Sequence, residues 1–421
     1  MKVSMFHLMP LRDLPSDFEH RYRSVWVDVP WHELTTAQRV GQYYNQSLDE
    51  LIYAAHSGID GVCVNEHHQN AYGMIASPNL MGSVLARQTA GLDVACIQLG
   101  ATLPNTQPPI RIAEEYAMLD CISDGRIVAG MPLGTPFDVN YCYGTTPLEQ
   151  RERYYEAHDL ILRAWEAREP FAWNGKYTQL PMVNLWPRPV QSPHPPIWVP
   201  GSGSLSTWEF TARHDYCYCF LSYHGIRFGK SVMDRYWEFV SKNGHDANPY
   251  RTGFLQLVAV SETDEQAEAD YYEHIRYFYD KTQHVAPEFT PPGHQDYASM
   301  VNTIRSQVAQ VQSVRSKIPN FTFRDFVDNQ LVIAGSPATV REQLAESVRS
   351  LRVGNLMVLL QIGSMSHALT MKNIHLFCNE VLPHLRGIWD DEGWVNHWWP
   401  EKLRDTRQAP FDRPALAGRA A

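Results

Sequence analysis

The stretch GIDGVCVNEHHQN, Gly58 to Asn70, reads as a short buried strand, Val62-Cys63-Val64, that runs into a polar cluster, Asn65-Glu66-His67-His68. A dry strand ending in two histidines and a carboxylate is a common layout in α/β enzymes, where function gathers at the carboxyl ends of the strands. Taken alone, a His-His pair is more simply a turn cap and a surface residue. The segments on either side decide between these readings.

Upstream, residues 3–8 read as a first strand. The apolar positions Val40, Tyr44, Leu48, Leu51, Ile52 and Ala55 recur at helical spacing until Gly58 stops them. Downstream, a helix starts at Pro78, and residues 92–103 read as the third strand. A helix over 111–122 and the turn Ser123-Asp124-Gly125-Arg126 precede strand four at 127–131, and a long helix follows near 148–168. Strands five to eight fall at 197–199, 216–221, 253–260 and 355–363. Helices are expected at 229–242, 263–280, 331–344 and 366–386, with Pro337 in a first turn. Eight strands alternating with helices predict an α/β fold, one (β/α)8 TIM barrel spanning 1–386. A doubly wound sheet would carry G-x-G-x-x-G after its first strand, and no such motif occurs there. Two excursions, 169–195 and 282–330, break the rhythm and are expected to cover one end of the barrel. The Trp-rich extension 387–421 is too aromatic to be free. It is expected to pack on a neighbouring subunit or across the barrel, with its last dozen residues disordered.

Composition narrows the function. A formal charge of −10 argues against nucleic-acid or anionic-membrane partners. The seven cysteines are scattered. Cys217 and Cys219, the one close pair, share a strand face, which suits neither a CxxC redox motif nor a zinc knuckle. The N-terminus turns polar too early for a signal peptide, and no run approaches the roughly 18 apolar residues of a membrane span. These features predict a cytoplasmic protein with reduced thiols.

Two further stretches bear on chemistry. Gly201-Ser202-Gly203-Ser204 lies between the strand Ile197-Trp198-Val199 and a helix, where glycine lets a ligand approach and helix N–H groups can hold an anion. A serine N-cap on a flexible turn explains it equally well. Glu114, Glu115 and Asp120 read as a helix face with a salt bridge to Arg126. His67 and His68, adjacent on an extended chain, face opposite ways and suit a metal site poorly, so no metal is expected. One imidazole beside Glu66 would serve as an acid/base.

In combination, several stretches resemble the bacterial luciferase-like family of flavin-dependent monooxygenases. They are EHH at 66–68, ASPNLMGSVLA at 76–86, AEEYAMLDCISDGRIVAG at 113–130, YG at 143–144, Arg151 with Glu156 and Trp165, NGKYTQL at 174–180, RPVQSPHPPIWVPGSGS at 188–204, and AGSPATVREQL at 334–344. The likeness spans roughly residues 1–385. It implies a barrel that takes reduced FMN from a separate flavin reductase and oxygenates a small organic substrate with O2 through a flavin peroxy adduct. It makes His67 the acid/base, supported by Glu66 and His68. It assigns the cofactor to Gln98, Leu99, Tyr143, Gly201, Ser202, Gly203 and Ser204, with the phosphate at 201–204. It also implies a non-proline cis peptide near Ile97-Gln98-Leu99 and a homo-oligomer, dimer or tetramer. The chain departs from luciferase itself at Met131-Pro132-Leu133-Gly134, where luciferase has Cys and Arg. That counts against light emission and long-chain aldehyde use. The alternatives are a deazaflavin (F420)-dependent hydride-transfer enzyme, a non-catalytic flavin-binding relative and, last, a metal-dependent barrel hydrolase.

Overall fold

The computed structural model describes residues 1–286, 289 and 317–406. Eleven strands occur among them: β1 Lys2–His7, β2 Gly61–Val64, β3 Ala95–Gln98, β4 Ile127–Gly130, β5 Phe171–Asn174, β6 Gln179–Val183, β7 Ile197–Gly201, β8 Cys217–Phe220, β9 Thr252–Val260, β10 Ile333–Gly335 and β11 Asn355–Leu359. Parallel pairing runs β11-β1-β2-β3-β4-β7-β8, and β9 pairs with both β8 and β11. Eight strands therefore close into the (β/α)8 barrel, with no free edge.

The strands are nearly continuous runs of buried residues because both their faces are covered. On the inside, a Cβ on Gly61 would press on Ser4 Oγ and Ile97 Cδ1, and one on Gly253 would meet Cys219 Sγ and Met357 Cε. On the outside sit the strand-following helices, among them Ala37–His56, Pro78–Gln88 and Pro337–Leu351. Their N-caps Thr36, Ser77 and Ser336 each accept a hydrogen bond from the backbone amide three residues on. Such caps stabilise a helix by about 1 kcal/mol each.

Several boundaries differ from expectation. The third strand is only Ala95–Gln98, not 92–103. Its end lies so close to β2 that a Cβ on Gly100 would sit 2.6 Å from the Glu66 amide nitrogen. Residues 333–335 form β10, a parallel addition to the end of β9 outside the barrel, before the expected helix begins. Excursion 169–195 carries the antiparallel hairpin β5–β6. Of excursion 282–330, residues 287–288 and 290–316 lie outside the described residues, as does the tail from 407 on. The segment that is described begins by pairing with the N-terminal loop: Val25 N donates to His284 O (2.8 Å) and Ala286 N to Arg23 O (2.8 Å).

The extension beyond residue 386 closes the amino-terminal end of the barrel. Trp198 Nε1 donates to Trp398 O, Trp398 Nε1 to Asp215 O and Trp389 Nε1 to Val353 O, each at 2.8 Å. Trp399 is fully buried, with Lys2 Nζ 5.6 Å from its ring centroid. Lys2, Val353 and Asp215 all lie where strands begin, so the opposite end is left for the site. Among the described residues no helix is long and apolar enough to cross a membrane.

Candidate active site

Strand β2 leaves the barrel at Val64 and continues through Asn65, Glu66, His67 and His68 into a loop folded against the N-terminal segment. Ala71 N donates to Val25 O (3.1 Å), Leu11 N to Ala71 O (2.9 Å) and Met74 N to Met9 O (2.9 Å). Gln69 takes a left-handed φ of 56°, which turns the chain directly after the histidines.

The two histidines diverge, as adjacent residues on an extended chain must. The His67 side chain, 12% exposed, places Nδ1 2.9 Å from Oδ2 of Asp138. Asp138 is buried, and it also accepts the His68 amide on Oδ1 (2.8 Å) and the Thr135 hydroxyl on Oδ2 (2.8 Å). Burial alone would raise its pKa. The His67 ring and these hydrogen bonds outweigh burial and hold the carboxyl below the usual range. An ionised Asp138 can only accept, so Nδ1 of His67 carries the proton and Nε2 is the basic nitrogen. Trp26 and Tyr72 contact the His67 ring edge to face, each at 4.9 Å, and Trp26 stacks on Tyr72 at 3.7 Å. A Cβ on Gly73 would lie 2.8 Å from His67 Cδ2, so only glycine leaves room for the ring.

His68 turns the other way. Its Nε2 lies 2.8 Å from Glu66 Oε1, and Nδ1 lies 3.2 Å from the hydroxyl of Tyr143, whose ring meets the imidazole at 4.6 Å. Glu66 thus serves His68. The expectation that Glu66 supports His67 is corrected: Glu66 holds His68, and Asp138 orients His67. Asp138 sits in the Gly/Pro/aromatic loop after β4, at the start of a π-turn over Phe137–Cys142, and nothing local in that loop marks it.

The loop Gly201 to Ser204 lies at the end of β7, at the same barrel mouth. Gly203 has φ 107°, a conformation that favours glycine. Ser204 is the N-cap of helix Leu205–His214 but makes no side-chain cap. Its Oγ instead lies 2.8 Å from that of Ser206. Ser202 is exposed. Gln98 is turned outward, its amide packed where a Cβ on Gly82 would come within 2.5 Å. Leu99, buried, donates its amide to Val64 O (2.8 Å). The bonds at 97–99 are trans, and the cis bonds among the described residues precede Pro108, Pro187 and Pro193.

Other motif residues are scaffold. Arg126 donates to the carbonyls of Ser123, Val94 and Ala86 rather than pairing with Asp120, which accepts from Gln191 instead. Glu156 accepts the amides of Tyr177 and Thr178 and so anchors the β5–β6 hairpin. Behind the site, Glu50 is fully buried among His7 (2.7 Å), Arg12 (3.1 Å) and His367 (2.9 Å). Burial would raise its pKa, but hydrogen bonds from His367 and His7 and the Arg12 charge hold it at about 2. This cluster ties the N-terminal loop to two helices. It has no short-range signature in the chain.

A cavity of about 580 Å³ opens beside the site. Tyr223 lines it, 6.4 Å ring to ring from Tyr72. Among the described residues no group of three or more His, Cys, Asp or Glu side chains is placed to hold a metal ion.

Comparison with known proteins agrees with this architecture. The oxygenase component of a flavin-dependent trigonelline monooxygenase from Acinetobacter baylyi is 27% identical over 174 residues. That match takes in 41% of this chain and 47% of the relative, so the chain spans less than half of that protein's length. The FMN complex of the oxygenating constituent of 3,6-diketocamphane monooxygenase from Pseudomonas putida superposes with a TM-score of 0.67 at 19% identity, over 91% of this chain and 98% of that one. The F420-dependent tetrahydromethanopterin reductase of Methanopyrus kandleri shares the fold at a TM-score of 0.58 and 16% identity, over 81% and 96%. The family profile described as luciferase-like monooxygenase matches residues 29–353. With that profile covering most of the chain and the barrel closed as the family requires, the protein belongs to the luciferase-like monooxygenases.

Proposed function

We propose that the protein is the oxygenase of a two-component flavin system, taking reduced FMN from a separate reductase and using dioxygen to oxygenate a small organic substrate. The observation that carries this reading is the His67–Asp138 pair, an imidazole held by a buried carboxylate at the mouth of the barrel. The trigonelline oxygenase component and the FMN-bound diketocamphane enzyme support it.

The residues at the mouth fit FMN. Asn65 Oδ1 is buried with no hydrogen-bond partner among the described residues, which suits a ligand bringing its own donor. The positive φ of Gly203 and the N-terminus of helix Leu205–His214 suit a phosphate. Gly201 to Ser204 would hold the phosphate, and Asn65 and His67 would face the ring. Bound reduced FMN supplies the electrons that activate dioxygen. The chain contributes the rest. Asp138 keeps the proton on His67 Nδ1, so that Nε2 can take or return a proton beside the reacting atoms. Trp26 and Tyr72 pack edge to face against the His67 ring and hold its plane. Glu66, His68 and Tyr143 brace the loop.

The test is His67→Ala, assayed with FMN, a flavin reductase and NADH. Binding of reduced FMN should persist while oxygenation falls about 10²–10⁴-fold, the usual span of general acid–base catalysis. Unchanged oxygenation would remove His67 from the chemistry. Reduced deazaflavin in place of FMN should support no oxygen-dependent turnover.

A further inference from the structure

Two neighbouring barrel helices, Pro78–Gln88 and Ile110–Ser123, are apolar on the side where a solvent-facing helix is normally polar. Leu80, 72% exposed, and Val84 stand one turn apart on the first, and Met118 and Ile122 one turn apart on the second. Trp186, 78% exposed, and Val190 extend the patch along the second helix. There Cys121 Sγ donates to Arg188 O (3.3 Å), and a Cβ on Gly125 would lie 3.5 Å from Val190 Cγ1. These six are half of the twelve large apolar side chains exposed among the described residues. A contiguous apolar patch of this kind marks an interaction surface, whereas a single exposed residue such as Val395 needs no explanation.

The charges on this face are placed to meet their own image. The two helices follow the consecutive strands β2 and β3 and run in the same direction. Asn79 Nδ2 donates to Glu115 Oε2 (2.7 Å) near their starts, and Arg126, just past the second helix, donates to Ala86 O (2.9 Å) near the end of the first. Arg87 continues the Leu80–Val84 stripe at the carboxyl end of the face, and Glu114 lies one turn before Met118 near its amino end. Neither Arg87 nor Glu114 makes a hydrogen bond or ion pair among the described residues, whereas Arg111 is held by Glu115 at 2.8 Å. A half-turn about an axis through the patch sets Arg87 of each copy beside Glu114 of the other and lays one apolar stripe on its twin.

We infer that this face binds a second copy of the chain about a two-fold axis, with the helices of the two copies antiparallel across the contact. The Trp-rich extension does not supply that contact, because its indoles are engaged within the chain at the opposite flank, on Trp198, Asp215 and Val353. A formal charge of −10 disfavours an anionic membrane as the occupant. Helix Pro78–Gln88 directly follows the loop that carries His67, so the second copy braces the element on which that loop ends.

The experiment measures the mass of the full chain by size-exclusion chromatography with light scattering, over a range of micromolar concentrations. The wild type should have twice the chain mass. Leu80→Glu combined with Met118→Glu should have the mass of one chain and an unchanged far-UV circular dichroism spectrum, because both positions are exposed. Val395→Glu, an exposed apolar position on the extension, should leave the pair intact. Arg87→Glu should weaken association roughly tenfold by setting like charges face to face, and adding Glu114→Arg should restore it. A wild type with the mass of one chain would overturn the assignment, including one that instead co-elutes with a flavin reductase. So would a pair that survives the Leu80 and Met118 changes, or a charge reversal at Arg87 that Glu114→Arg does not rescue.

Discussion

His67 Nδ1 lies 2.9 Å from Oδ2 of Asp138, a residue 71 positions later in the chain and buried beneath the loop that carries both histidines. The same carboxylate takes the His68 amide on its other oxygen. One side chain therefore sets both the tautomer of His67 and the path of the backbone that presents it.

Asp138→Asn keeps the shape and removes the charge. The amide can donate to Nδ1 and so favour the wrong tautomer. Oxygenation should fall about 10²–10⁴-fold, on the scale of acid–base catalysis itself. The pH profile of turnover should also change shape, which a merely structural defect would not produce. A variant with wild-type turnover and an unchanged pH profile would show that Asp138 only braces the loop.

At the phosphate loop, Gly203→Ala places a side chain at φ 107°. Strain of this kind costs about 1–3 kcal/mol. Reduced FMN should bind roughly tenfold or more weakly. Reduced riboflavin, which lacks the phosphate, should be affected far less. Equal losses for both ligands would place the phosphate elsewhere.

Trp399→Ala removes a fully buried indole from the closed end of the barrel. Large-to-small core changes of this type cost about 3–5 kcal/mol. Denaturant unfolding should show that loss, whereas flavin affinity in the surviving folded protein should match the wild type. A large loss of flavin affinity at full stability would contradict the separation of the two barrel ends.

The Glu50 cluster makes the fold acid-sensitive. The Glu50 carboxyl titrates at about 2 when folded against 4.5 when exposed. Its contribution is therefore complete above pH 4.5 and disappears as pH falls toward 2. Burial also lowers the His7 pKa from 6.5, so His7 begins to erode stability once pH drops below that value. Both effects run in the same direction. Glu50→Gln should destabilise the protein at pH 7 by about 3–5 kcal/mol, because Arg12 is left buried without its partner. It should also flatten the fall in stability between pH 4.5 and 2. A variant as acid-sensitive as the wild type in that window would exclude Glu50 as the source.

What could be read along the chain was whatever is encoded over short distances. Hydrophobic runs of four to nine residues and helical periodicity, punctuated by glycine and serine caps, set out eight β/α units and hence the barrel. The boundaries of β3 and the added strand β10 were not legible. They depend on how closely neighbouring strands approach and on which edge remains unpaired. The divergence of His67 and His68 was legible, because adjacent residues on an extended chain must face apart. Their partners were not, since Asp138 reaches His67 and Tyr143 reaches His68 only after β4 has been laid beside β3.

The same division holds for the ends of the molecule. Four tryptophans in the extension announced burial, because so much apolar surface is not left in water. Their place, closing the amino-terminal end around Trp198 and Asp215, came from partners roughly 200 residues away. The sequence by itself determined the fold class and the strand end on which His67 stands, since both follow from local patterning. Tertiary structure alone decided which carboxylate serves which histidine, because those pairings exist only once distant segments share one end of a closed barrel.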